Sequence, residues 1–274
     1  VLTSTGSGVG WEDASGGASD IDGLSDALVE NNSIWLGNDP SGTTDTASYS
    51  VALGTTALDA ITTGDYNSVI GYGALTTNTT GASNTAVGYN ALNANLSASH
   101  NIAIGASCME NNSTGAENVA VGNYALDASN ASFNVAIGVH ALGANTSGDN
   151  NTAVGYGALA ANTESDRNTA VGVNALSSMT VGASPYYGYN TAVGYDAGKA
   201  CTTGLGSTYI GYEAGLVHST GNACTFIGHM AGKAINGVWG NTFVGNSAGG
   251  AATTGNGMTF VGNAAGYNNT GGYN

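Results

Sequence analysis

Fourteen glycines at a near-fixed interval constrain this chain more than any other feature. The hexapeptide Asn-Thr-Ala-Val-Gly-Tyr stands at 84–89, 151–156 and 190–195, with near-copies elsewhere. Alignment on its glycine gives Gly37, Gly54, Gly71, Gly88, Gly105, Gly122, Gly138, Gly155, Gly172, Gly194, Gly211, Gly228, Gly245 and Gly262. Successive spacings are 17 residues apart from one of 16 and one of 22, and the units tile from Ser33 to Asn274. A short fixed period of this kind predicts a solenoid, in which each unit is one coil that buries its apolar side only against neighbouring coils. The domains follow: 1–32 is an N-terminal connector and 33–274 a repeat β-roll shaft.

With the slots of each unit numbered 1 to 17 from the motif's Asn, slot 4 is Val, Ile or Leu throughout. Slot 2 is mostly Thr, Val or Ile, and slot 3 is Ala, Val, Trp, Tyr or Phe. A β-branched and apolar run closed by Gly predicts a short strand ending in a tight corner. Glycine at slot 5 supplies a positive φ or room for the next coil, which makes Gly88, Gly105, Gly122, Gly155, Gly172 and Gly194 structural corners. Slots 8 and 9 read Ala-Leu, as in Ala74-Leu75, and predict a second inward segment. Slots 12–15, as in Asn78-Thr79-Thr80-Gly81, read as a polar turn. The fold class is therefore all-β, a parallel β-roll or β-solenoid of about fourteen 17-residue coils.

Side chains alternate along a strand, so slots 2 and 4 share one face and slot 3 takes the other. Slot 3 is apolar in every unit, which predicts two buried faces and a cover supplied by another copy of the chain. In most units from 50 to 189 slot 3 is Ala and slot 9 is Leu or Met. In the last four, slot 3 is Tyr209, Phe226, Phe243 and Phe260 while slot 9 is Gly215, Gly232, Gly249 and Gly266. This exchange of large for small predicts that slots 3 and 9 touch, within or between chains. The unit at 190 pairs Ala192 with Gly198, which predicts a loose spot. The four aromatics, placed near the axis of an intertwined or side-by-side homotrimer, are the expected oligomer-packing residues. The recurring slot-1 Asn predicts a stacked amide ladder, with ligand-binding amides as the alternative.

Residues 1–32 leave the period, with Trp11 as their one large anchor and Leu24, Ala27 and Leu28 spaced for a single helical turn. The net charge of −15, with Arg167, Lys199 and Lys233 as the fixed cations, argues against nucleic acid. No apolar run suits membrane insertion, and no leader segment is read at Val1. Cys108, Cys201 and Cys224 are odd in number and lack metal or disulfide spacing, and Cys108 fills a slot otherwise held by Ala.

No catalytic constellation has a useful spacing: the four His occupy different slots, and runs such as Gly204-Leu205-Gly206 lack a strand–helix context for nucleotide binding. The chain is expected to be neither an enzyme nor a holder of cofactor or metal. Outward Thr arrays suggest ice binding, but slot 2 alternates Thr with Val, Ile and Ser, which weighs against it. The 22-residue unit adds five residues around Ser184, and its Pro185, Tyr186, Tyr187 and Tyr189 are the candidate receptor contacts, because Tyr offers a flat apolar face with a polar tip. The alternative is a loop that folds back over a neighbouring coil.

The repeat Asn-Thr-Ala-Val-Gly, with variants such as Asn101-Ile102-Ala103-Ile104-Gly105, resembles the head repeats of trimeric autotransporter adhesins, which are left-handed parallel β-rolls assembled as trimers. The longer form Asn-Thr-Ala-Val-Gly-Tyr-x-Ala-Leu is similar to repeat tracts in tail-fibre proteins of bacteriophages, marine ones especially. Val1 to Trp11 and Ile21-Asp22-Gly23-Leu24-Ser25-Asp26 resemble connectors in such fibres. The period is longer than in the adhesin heads, and no neck, stalk or anchor is visible. The resemblance implies a structural attachment protein of the virion, a trimeric tail-fibre segment whose partners are its own copies and a host-surface carbohydrate or protein. The alternatives are a bacterial cell-surface adhesin head or an extracellular filament subunit, and a polysaccharide-degrading spike, which would need paired carboxylates in a groove.

Overall fold

The structure, a computed structural model, describes residues 2–4, 9–11, 27–30, 32–37, 46–180 and 188–271. Among these there is no helix, and fourteen parallel strands form a β-solenoid. The chain divides into two compact units, Val1–Thr114 and Gly115–Asn274.

In the first unit β1 (Leu2–Ser4) pairs antiparallel with β2 (Val9–Trp11). β3 (Ala27–Glu30) pairs antiparallel with β4 (Ser33–Leu36), Ala27 opposite Leu36 and Glu30 opposite Ser33. Ala27 and Leu28 are thus in a strand, not a helical turn, because β3 supplies backbone partners to the edge of β4. Leu24 lies outside the described residues. From β4 the strands run parallel and in register through β5 (Val51–Leu53), β6 (Ser68–Ile70) and β7 (Thr85–Val87) to β8 (Ile102–Ile104).

In the second unit the same ladder runs from β9 (Val119–Val121) through β10 (Val135–Ile137), β11 (Thr152–Val154), β12 (Thr169–Val171), β13 (Thr191–Val193), β14 (Thr208–Ile210), β15 (Thr225–Ile227) and β16 (Thr242–Val244) to β17 (Thr259–Val261). Neither irregular unit breaks register. In the 16-residue unit the missing residue comes out of the slot 12–15 turn: Ser129 Oγ accepts the N–H of Ala131, two residues on. In regular coils Asn78, Asn145 and Asn162 accept from a residue three on. In the 22-residue unit Thr169 faces Thr191 and Asp166 bridges Gly188, so the insertion is absorbed before β13.

The corner is as tight as the invariant glycine implies. Gly155 has φ +136°, and a Cβ there would stand 2.5 Å from the Gly172 carbonyl oxygen, the same corner of the next coil. Gly88, Gly122, Gly172 and Gly194 meet the following corner in the same way, and Gly105 shares the φ. No L-residue fits both the dihedral and the contact.

The strand faces are reversed from the two-buried-face expectation. Slot 3 points into the lumen of its own coil, where every described slot-3 side chain is buried, and slots 2 and 4 point out. Slots 8, 9 and 12 close the lumen from the other side: Ala158 and Leu159, for example, are fully buried. Trp35, Tyr209, Phe226, Phe243 and Phe260 are therefore core residues of the single chain. They are not exposed packing residues awaiting a partner, because one coil is wide enough to enclose a ring.

What makes room for the ring is slot 9. A Cβ on Gly215 would meet the Tyr209 and Phe226 rings, on Gly232 the Phe226 ring, on Gly249 the Phe243 ring and on Gly266 the Phe260 ring. The large-for-small exchange is a contact inside one coil. The expected loose spot at Ala192 and Gly198 is filled from both sides, since a Cβ on Gly198 would lie 2.7 Å from Tyr209 Cδ2 and 3.0 Å from Leu176 Cδ2. The three Phe rings stack, with centroids 5.1 Å apart for Phe226–Phe243 and 4.9 Å for Phe243–Phe260, while Tyr209 is tilted 57° against Phe226 at 5.9 Å.

Where slot 9 is Leu or Met the backbone is left-handed all the same, with φ of 56° at Leu58, 52° at Met109 and 49° at Leu176. That conformation costs an L-residue about 1–2 kcal/mol. Burying the whole side chain returns about 1.5–3 kcal/mol. Leucine is kept where it fills the lumen, and glycine replaces it where a ring already does.

Candidate functional site

Turning slot 3 inward leaves slots 2 and 4 as the outer surface of the sheet in each unit. In the first unit Val51, Leu53 and Ile70 are each close to half exposed (48, 47 and 47 %), with Ile34, Ile102 and Ile104 also open. In the second unit Ile137, Val193, Ile210 and Val261 are exposed, and slot 2 is Thr in every coil from Thr152 to Thr259. No charged residue occupies slots 2 to 4 of any coil. The strands pair in register, so like side chains stack into straight apolar and hydroxyl rows.

Aromatic rows flank this face. Slot 17 stacks Tyr49 on Tyr66 with ring centroids 5.2 Å apart. Slot 6 stacks Tyr72 on Tyr89 in the first unit, and Tyr195 on Tyr212 and Tyr212 on His229 in the second. At slot 7, Tyr124 stacks on His140. Tyr at slot 6 recurs at 72, 89, 156, 195 and 212, a periodicity that the sequence displays but that the expected sites did not include.

Of the expected receptor contacts, Pro185, Tyr186 and Tyr187 lie outside the described residues. Tyr189 is in slot 17, exposed, with Arg167 above its ring at 5.5 Å and donating to its hydroxyl at 3.1 Å. It continues the regular coil surface.

The slot-1 Asn residues are buried, which fits a structural ladder and removes them from ligand contact. Each side chain serves the neighbouring coil's backbone more than its amide. Asn151 Oδ1 accepts the Asn168 N–H at 2.9 Å, and its Nδ2 donates to the Ser165 carbonyl at 2.8 Å. Amide-to-amide bonds join Asn168 to Asn151 and Asn190 to Asn168, each 3.1 Å. Slot 12 forms a second buried ladder where the sequence suggests an exposed turn. Asn78, Asn95, Asn145 and Asn162 each hold both the N–H and the carbonyl of slot 15 in their own coil. An amide that satisfies the corner's backbone groups can be buried at little cost.

In three later coils slot 12 is Cys201, His218 and Ile235, all buried. His218 Nδ1 lies 2.7 Å from the Tyr209 hydroxyl and Nε2 3.3 Å from the Val238 carbonyl. A carbonyl only accepts, so Nε2 carries the proton and Nδ1 accepts from Tyr209. Burial pushes the imidazole below its usual range, opposed by the Val238 carbonyl, and it pushes the thiols of Cys201 and Cys224 up. Cys108 is likewise buried, in the Ala slot. Part-buried ion pairs join Lys199 to Asp196 at 3.0 Å and Lys233 to Glu213 at 2.6 Å, the latter holding the Glu213 carboxyl below its usual range.

Among the described residues no group of three or more His, Cys, Asp or Glu side chains is placed to hold a metal, and no helix is long and apolar enough to cross a membrane. A shallow pocket beside the Tyr124–His140 stack is lined by Tyr124, Asp127, His140, Gly143, Ala144 and Ala160. Comparison with known proteins gives no identity: no protein-family model, curated protein or solved structure matches the chain.

Proposed function

We propose that this chain is a structural, non-enzymatic fibre segment that assembles as a parallel homotrimer, in the manner of a phage tail fibre contributing to host-surface attachment. The observation that carries the reading is the outward strand face of slots 2 and 4, uncharged, with an apolar slot-4 row beside a slot-2 row that is largely Thr in the second unit, in register from coil to coil. An apolar row such as slot 4 left in water is an aggregation hazard, and association of like faces removes it. The interface so proposed is the face opposite the Tyr209 to Phe260 row. Three copies meeting around an axis bring each face against two others, and the resemblance to trimeric adhesin heads and tail fibres selects three over two.

A charge pair on the outer face tests this. Ile137 and Val154 are register partners in slot 4 of adjacent coils. Ile137→Glu with Val154→Glu leaves the lumen untouched, so the reading predicts a chain that keeps its β-sheet circular dichroism and loses its oligomer in multi-angle light scattering. An unmodified chain that runs as a folded monomer refutes the assembly. An adhesin head or extracellular filament subunit would use the same face, and the longer tail-fibre form of the repeat favours the virion.

A further inference from the structure

The rim of the second unit changes character in its last coils. In that unit slot 17 holds Phe133, Asn150, Arg167 and Tyr189 in the earlier coils, but Gly206, Ala223, Gly240 and Gly257 later. The backbone does not require the small residues: φ is 60° at Tyr66 and 58° at Tyr189, against 67° at Gly240 and 64° at Gly257. A Cβ on Gly240 would meet nothing within 4 Å. Removing the slot-17 side chain opens a shallow cavity of about 430 Å³, lined by Asn222, Ala223, Trp239, Gly240, Asn256 and Gly257. That volume falls in the range of small-molecule sites, about 300–1,000 Å³.

Trp239 stands on this rim with 62 % of its surface exposed, the opposite of the fully buried Trp35. Its backbone N–H donates to Asn256 Oδ1 at 2.8 Å, and Asn222 Oδ1 accepts from Leu205 N–H at 2.8 Å. Both carboxamide oxygens are thus spent on coil-to-coil bonds, and these bonds fix the planes of the two amides. Each NH₂ group makes no bond to the described chain, so the cavity carries two oriented donors beside an indole face. No lining residue is ionisable.

We propose that this cavity is a binding site for a neutral sugar. A pyranose ring presents an apolar face of C–H bonds suited to an indole, and hydroxyls at its edge that accept from amide NH₂ groups. An uncharged lining on a chain of net charge −15 disfavours polyanionic glycans. The site deepens the attachment reading and rests on it for its purpose. Its chemistry stands apart from the assembly face.

The test uses the full chain labelled with 5-fluorotryptophan, followed by ¹⁹F NMR during titration with disaccharides of glucose, galactose, mannose and N-acetylglucosamine. The same sugars, immobilised as oligosaccharides, give a binding readout. At least one sugar should shift the Trp239 resonance saturably, and Trp239→Ala should weaken binding to the immobilised sugar at least tenfold. Gly240→Tyr should do the same by refilling the cavity at a dihedral where Tyr66 and Tyr189 already sit, with circular dichroism unchanged. Absence of any saturable shift to the solubility limit of these sugars, or equal binding by both variants, overturns the proposal. So does a shift produced by a proline-rich peptide and by no sugar. The oligomer mass measured on the same samples separates the two readings: a trimer that binds no sugar sinks this site alone.

Discussion

The contact between slots 3 and 9 can be tested by changing one coil from the ring-and-glycine solution to the Ala-and-Leu solution used elsewhere in the chain. Phe243→Ala removes a fully buried ring from a stack and should cost about 3–5 kcal/mol. Gly249→Leu alone should also destabilise, because its Cβ would lie 2.5 Å from Phe243 Cε2 and 2.6 Å from Cδ2. Overpacking of that kind costs about 1–3 kcal/mol, and left-handed Leu adds about 1–2 kcal/mol. Together the two changes recreate the pair found in the coil at 151, where Ala153 and Leu159 are both fully buried. Gly249→Leu should therefore change sign, stabilising the Phe243→Ala chain while it harms the parent. Repeat arrays unfold piecewise, so the assay should be local. Hydrogen exchange at the Thr242 and Gly245 amides, bonded to the Met258 and Ile227 carbonyls, reports opening of this coil. The cycle should give a coupling of at least about 2 kcal/mol. Additive effects, with the double variant less protected than Phe243→Ala alone, would refute the shared lumen.

Other expectations follow from the same geometry. Gly155→Val should prevent folding or sharply lower the melting temperature, since the φ of +136° alone costs an L-residue about 1–3 kcal/mol before the contact with Gly172 is counted; an unchanged melting curve would contradict the tight corner. Asn151→Ala orphans the buried Asn168 N–H at about 1–3 kcal/mol and removes one of the two amide bonds to the Ser165 carbonyl, which keeps its bond from Asn162, and a thermal melt would detect the loss. His218 is buried neutral, so its folded pKa lies below its unfolded value near 6.5, and the unfolded chain binds the extra proton. The stability it contributes is complete above that value and is lost as pH falls through the window between the two pKa values, by up to about 1.4 kcal/mol per pH unit. Melting temperatures between pH 7.5 and 5 should fall in the parent and stay flatter in His218→Asn.

Strand, corner and register were legible because each recurs from coil to coil: mostly β-branched side chains in slots 2 and 4, and in every coil a glycine at slot 5, where neither dihedral nor space admits a Cβ. Which face is inside was not legible, and the reason is physical. In most coils the buried slot holds Ala, as at Ala153, while Val or Ile at slot 4 and Thr, Val or Ile at slot 2 flank it on the outside, so side-chain size and hydrophobicity point the wrong way. The lumen is narrow, and Leu159 from the opposite wall fills it, leaving slot 3 room only for a methyl group. The exchange at 209–266 carried the correct answer, since residues that trade volume share a space. The slot-12 Asn ladder was hidden because an amide that satisfies a corner internally looks in sequence like one that faces water. The cavity beside Trp239 coincides with the small slot-17 residues Ala223, Gly240 and Gly257, a change visible only against the other coils.

The mass of the purified chain in solution tests the central claim most directly. Sedimentation equilibrium of the unmodified chain should give three times the monomer mass across a wide concentration range, and Ile137→Glu with Val154→Glu should give one. A folded, concentration-independent monomer for the unmodified chain would contradict the account and leave the outward strand face without the partner it was assigned.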